Sequence, residues 1–242
     1  MSAGPRGVRA GPPPLDSAEI AVKLFLEDPQ GVRPGEIVPV FHRWIREGAL
    51  PDELMVDVAT YEHVPRGPGV VLICDTAHYA FDLRFGRPGL RWRGRRVATG
   101  TGRERLGRAF RSALTAAALL ERETALEGRC RFRTDEVEVG IHDRLRAPSD
   151  PATFDLVRPE LAACVGDLFR SEAVTLEMTS GARDPFLVSI RTGASASVGE
   201  LLDRAQALAR ARSEPLATTP PTARSAAHAS GSDGTPGAPA HA

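Results

Sequence analysis

Residues 36–93 gather the side chains best suited to acid/base or metal chemistry: His42, Asp57, His63, Asp75 and His78. Two imidazoles and a carboxylate make a facial ligand set for Zn, Mn or Fe, and the same groups can exchange protons near neutral pH. Their spacing fixes no two of them on one element, because HxH, HExxH and HxD pairs are all missing. His42 flanks an apolar helix face, while His63 and His78 are expected in turns, His78 in the short connection DTAH. Asp57 lies between Val56 and Val58, where burial without partners would cost several kcal/mol, so the solvated face of a strand is its expected place. A metal-assisted or acid/base enzyme built on His42, Asp57, His63 and His78 is therefore the alternative function. The sequence names no cofactor.

A second pattern is electrostatic. The chain has no net charge, yet residues 84–111 hold ten arginines and one acid, Glu104. Lys23 is the only lysine beside 30 arginines, a bias that points to genome composition more than to function. In the run LRWRGRR (90–96), alternation places Arg91, Arg93 and Arg95 on one strand face and Trp92 on the other. Charge segregated in this way suits an acidic protein partner or a second copy of the chain. Overall neutrality argues against nucleic acid, whose binders are generally basic. The expected function is a non-catalytic binding or assembly module, with Arg84, Arg87, Arg91, Trp92, Arg93, Arg95 and Arg103 as its contact residues.

Other candidates are weaker. The stretch ATGTGRERLGRAF opens a helix whose N-terminus could hold an anion, but no apolar strand precedes its GTG. Cys74 stands near Asp75 and His78, and Glu136 and Glu138 share a strand face. Core packing and a polar outer face account for them. Walker, Rossmann, kinase and GxSxG signatures are missing.

The elements that must position these groups follow from periodicity. Residues 21–28 form a strand, 36–47 a helix buried through Ile37, Val40, Phe41, Trp44 and Ile45, and Gly48 stops it. Strands follow at 54–61, 70–74, 79–85 and 90–96, linked by turns short enough to demand antiparallel pairing. In the first of these, Leu54, Val56 and Val58 share one face. The clearest helix spans 102–126. Residues 130–141 alternate in two phases, so a tight turn or bulge falls near Thr134 and Asp135. Asp150 caps a helix that Pro159 is expected to kink or break. A hairpin at 173–192 and a capping box, Ser197 and Glu200, before a last amphipathic helix complete the order. The predicted fold class is α+β, a mostly antiparallel, hairpin-built sheet covered by helices in two layers.

Residues 1–17 and 213–242 are rich in Pro, Gly, Ser and Ala and are expected to be disordered tails. Between them lie a core domain, 18–193, and a linker with the final helix, 194–212. The three cysteines form no ligand pattern and behave as small buried hydrophobes. No apolar leader or membrane-length run occurs, which favours the cytoplasm and no membrane.

The segments VPVFHRWI (38–45), DVATYEHVPRGPGVVLI (57–73), YAFDLRFGRPGL (79–90) and FRTDEVEV (132–139) resemble those of a bacterial protein family. The likeness spans roughly residues 20–192. It implies a shared core to which both tails and the last helix were added. It implies no activity or ligand, and so assigns no functional residue.

Overall fold

The computed structural model describes residues 14–213 apart from 97, 172, 182, 183, 194 and 195. Eight strands form one antiparallel sheet. They are β1 (Ile20–Leu26), β2 (Met55–Thr60), β3 (Val70–Cys74), β4 (Ala77–Asp82), β5 (Gly89–Gly94), β6 (Phe132–Ile141), β7 (Val174–Met178) and β8 (Phe186–Thr192). Their spatial order is β2-β3-β4-β5-β1-β6-β8-β7. The helices are α1 (Pro14–Ser17), α2 (Pro34–Glu47), α3 (Gly102–Glu121), α4 (Pro151–Phe169) and α5 (Val198–Ser213). This is the expected α+β class.

Short connections make β2 to β5 a meander, and β1 fills the slot between β5 and β6. Alternation then divides the sheet chemically. Val22, Leu24, Leu72, Tyr79, Phe81, Leu90, Val137, Val139, Val188 and Ile190 turn to one face. There they join Ile37, Phe41, Trp44, Phe110, Leu114, Leu161, Val165 and Leu201 of the four long helices in a single apolar cluster. Helix α2 lies over β2 and β3, α3 over β5 and β1, α4 against β7, and α5 on α3. The opposite face carries Lys23, Asp82, Arg91, Arg93, Glu138 and Ser189.

The helix ends are closed locally. Gly48 ends α2 in a left-handed conformation, φ 64°. Thr101 and Glu104 form a reciprocal box at α3. Asp150 accepts the Thr153 N–H at 2.8 Å, and Ser197 and Glu200 cap α5 as expected.

Several expectations are corrected. Residues 14–17 belong to the folded core: Leu15 is buried, and Arg105 donates to the Leu15 and Ala18 carbonyls. The remaining expected tails, 1–13 and 214–242, lie outside the described residues. Residues 132–141 form one strand. The anticipated irregularity is a register shift, with Leu24 opposite Val137 but Leu26 opposite Phe132. Helix α4 runs through Pro159, because Pro159 and Asp155 are both exposed and water can solvate the Asp155 carbonyl that loses its donor. On edge strand β2 a register shift between Met55 and Asp57 resets the alternation. Met55 and Val58 therefore pack on the core while Leu54 and Val56 are 72% and 59% exposed. His78 lies inside β4 instead of a turn, since the β3–β4 link is only Asp75 and Thr76.

Candidate functional site

Lys23 stands between Val22 and Leu24, so strand alternation carries it to the face opposite the helices. Arg91 of β5 and Glu138 of β6 are its direct cross-strand neighbours. Asp82, the last residue of β4, is the hub of this face. Its carboxylate accepts Lys23 Nζ at 3.3 Å, Arg84 Nε and Nη2 at 2.9 Å each, and the Arg84 backbone N–H at 3.1 Å. Arg91 Nη1 lies 4.0 Å away. Glu136 is the second hub, bonded to Arg87 at 2.7 Å and to the Ser189 hydroxyl at 3.1 Å, with Arg133 and Arg191 nearby. Arg93 pairs with Glu19 at 2.6 Å. The Arg87 guanidinium also lies over the Phe25 ring, 3.8 Å from its centroid. Asp82 and Lys23 are 1% and 3% exposed, values that only paired charges tolerate.

Burial shapes the protonation of this face. It pushes the Lys23 ammonium down against the opposing pull of Asp82 and Glu138, and it pushes the Glu138 carboxyl up. Burial works against ionised Glu136 too, yet Arg87 holds that carboxyl below its ordinary value. His142 follows β6, and its Nε2 meets an Arg91 Nη2 donor. Burial, reinforced by Arg93 and Arg84, drives its pKa down to about 3. The folded protein thus keeps His142 neutral, while in the unfolded chain it titrates near 6.5. Stability should therefore fall as pH drops from about 6.5 toward 3, because the unfolded state binds the extra proton. Urea titrations over this range will show a shallower pH slope for His142→Gln, which keeps an acceptor for Arg91 but cannot take up that proton.

The other side of β5 is different. Trp92, opposite Tyr79 and Val22, faces the helices and is half-buried. Beside it, where α3 and the turn after α2 stand apart, a crevice of about 300 Å³ opens. Arg105, Arg108, Arg111 and Ser112 of α3 line it with Arg96, and Asp52 and Glu53 lie across from them. Glu53 is already engaged, accepting from Thr76 Oγ1 at 2.6 Å and from the Tyr79 hydroxyl at 3.3 Å. Arg105 is held by backbone carbonyls and Arg108 by the Thr99 carbonyl. Arg111 has no side-chain partner among the described residues. Trp92 Nε1 and Arg105 Nε are buried without hydrogen-bond partners, a state that ordinarily costs about 1–3 kcal/mol per donor.

The seven expected contact residues do not make one continuous surface. Arg84, Arg87, Arg91 and Arg93 share the outer face, each beside an acid or His142. Trp92 borders the crevice on the far side of the same strand. Arg95 passes the strand end and donates to the Cys74 carbonyl at 3.1 Å, and Arg103 pairs with Asp167 of α4. The proposed metal set is also dispersed. His42 and His63 are exposed on α2 and on the 61–67 turn, Asp57 is exposed on edge strand β2, and His78 lies on the outer face opposite Arg93. No group of three or more His, Cys, Asp or Glu among the described residues could hold a metal ion. The N-terminus of α3 is filled internally, by Asp16 on the Gly102 N–H and by the Thr101–Glu104 box. Cys74 and Cys130 are buried, which raises both thiols to about 12 and leaves them inert near neutral pH.

Lys23, Asp82, Glu138 and His142 escaped the sequence analysis as a group. A signal for two of them was present: Lys23 in AVKLFL and Asp82 in YAFDL are lone opposite charges inside apolar strands. Their pairing needed the β4-β5-β1 order, which loop lengths alone do not reveal. Together, fold and sites define an α+β protein with a charge-wired sheet face and a cationic crevice beneath its helical layer. Compared with known proteins, the chain matches no family model and no curated protein sequence. No helix among the described residues is long and apolar enough to cross a membrane.

Proposed function

We propose that the protein is a binding module whose arginine-bearing segment receives an anionic ligand with a flat apolar body in the crevice over Trp92. The observation that carries this reading is the charge balance there. Arg96, Arg105, Arg108 and Arg111 outnumber Asp52 and Glu53, and Glu53 is committed to Thr76 and Tyr79. Guanidinium groups recognise carboxylate and phosphate through paired N–H donors, and an indole face supplies the apolar wall. Two buried N–H groups without partners favour a ligand that brings acceptors. An acidic macromolecule or a second copy docking on the whole arginine segment has less support, since its outer-face guanidiniums already meet acids of the same chain. The volume, about 300 Å³, lies at the small end of ligand sites.

The test uses anilinonaphthalene sulfonate, an anion on an aromatic body, titrated at low salt and displaced with phenyl phosphate. One saturable site is expected, with affinity reduced at least about tenfold in Arg111→Glu, the loss of roughly 1.4 kcal/mol anticipated for one charged hydrogen bond. Unchanged binding in that variant, or no phenyl phosphate competition, would exclude the crevice.

A further inference from the structure

The outer sheet face contains a second cavity that the crevice reading does not use. It has a volume of about 200 Å³ and lies between the 84–87 turn and the β7–β8 hairpin, with Lys23 and Glu138 in its wall. Three features distinguish it from an ordinary buried ion network. The only lysine of the chain is placed there, 3% exposed, in a face otherwise supplied with arginine. Glu138, directly opposite Lys23, makes no side-chain hydrogen bond among the described residues, unlike Asp82 and Glu136 on either side. Arg84 and Arg87 bond their carboxylates through Nε or Nη2, so Nη1 of each remains for another anion. At the rim, Phe85 is 64% exposed on a left-handed backbone, φ 61°. Bulky residues rarely adopt that conformation, and it turns the ring away from the core.

We propose that Lys23 is a carbonyl-condensing residue, its amine forming an imine with a small oxo acid whose carboxylate meets Arg84 and Arg87. The amine nitrogen attacks the carbonyl carbon, and the C=O electron pair moves to oxygen, which takes the Glu138 proton. The nitrogen returns a proton to Glu138. Glu138 then protonates the departing hydroxyl, which leaves as water while the nitrogen lone pair closes the C=N bond. Amine, carbonyl and the Glu138 proton thus become iminium, water and the Glu138 carboxylate, and no oxidant or cofactor is consumed. The chemistry needs an uncharged amine and a protonated acid, and burial favours both forms. Arginine cannot replace Lys23 here, since its guanidinium stays charged.

A single lysine makes the test unambiguous. The whole protein is incubated near pH 7 with glyoxylate and sodium cyanoborohydride, which reduces the imine to a stable carboxymethyl adduct, and the product is mapped by peptide mass spectrometry. Lys23 is expected to be labelled at least about tenfold faster than α-acetyl-lysine in the same tube, since burial favours its uncharged amine. Acetaldehyde, which lacks the carboxylate, will label it more slowly. Glu138→Gln will slow labelling while its thermal melt stays cooperative, and Lys23→Arg will give no internal adduct. Labelling confined to the chain's α-amino group, or at Lys23 no faster than the free amine, overturns the proposal. Equal rates with acetaldehyde overturn the oxo-acid assignment.

Discussion

Asp82→Ala will lower the folding free energy by about 3–5 kcal/mol, the usual cost of removing one partner from a buried ion pair. The size follows from what the substitution leaves behind. The Asp82 carboxylate serves the Lys23 ammonium, two Arg84 guanidinium nitrogens and the Arg84 backbone N–H at 1% exposure. Without it, Lys23 and Arg91 remain as buried cations on adjacent strands, and Arg84 loses the contact that orders the 84–86 turn. Asp82→Asn will cost less, because the amide keeps an acceptor while losing the charge. Urea denaturation near pH 7 measures both. A loss below about 1 kcal/mol for Asp82→Ala would mean that the outer face is solvated and its pairs contribute as little as surface salt bridges do.

Gly69→Ala will destabilise by about 2–6 kcal/mol, combining left-handed backbone strain with overpacking. Gly69 closes the HVPRGPG turn at φ 73°, and a Cβ there would lie 2.1 Å from the Phe81 carbonyl oxygen on β4. Unlike a flexible side chain, that oxygen cannot move aside without parting β3 from β4, where Val70 pairs with Phe81. Gly48 is the control: its φ is 64°, but no atom lies within 4 Å of the point a Cβ would occupy, so Gly48→Ala will carry the strain alone and cost about 1–3 kcal/mol. Equal losses at both positions would show that steric contact at Gly69 adds nothing.

The contrast between these glycines also indicates what a sequence can disclose. Turn chemistry, helix caps and alternation are local, so the HVPRGPG turn, the Asp150 and Ser197 caps and strands such as VVLIC were legible directly. The parity shift on β2 was not. Its cause is a register shift against β3, and the pattern LMVDVATY looks the same with or without it. The arginine segment was visible as a charge imbalance, but β5 passes its residues to two faces with different fates. One face meets Glu136 and Glu19, 49 and 74 residues from their partners Arg87 and Arg93, and Asp82 at the end of the neighbouring strand. The other meets α3, which brings Arg105, Arg108 and Arg111 beside Trp92. No spacing rule within LRWRGRR distinguishes a neutralised guanidinium from one lining a crevice. The histidine set failed for a related reason: proximity in sequence placed His42 on the helical layer and His78 on the far face of the sheet.

The division of arginines between the two faces is tested most directly by the emission of Trp92. Of the two tryptophans, Trp44 belongs to the buried core, so Trp44→Phe leaves Trp92 as the sole indole. Titrating that variant with phenyl phosphate at low salt should give a saturable change in Trp92 emission, with the same midpoint at which the sulfonate probe is displaced. Emission that stays constant while phenyl phosphate still displaces the probe would place the anion site away from the crevice and contradict the account.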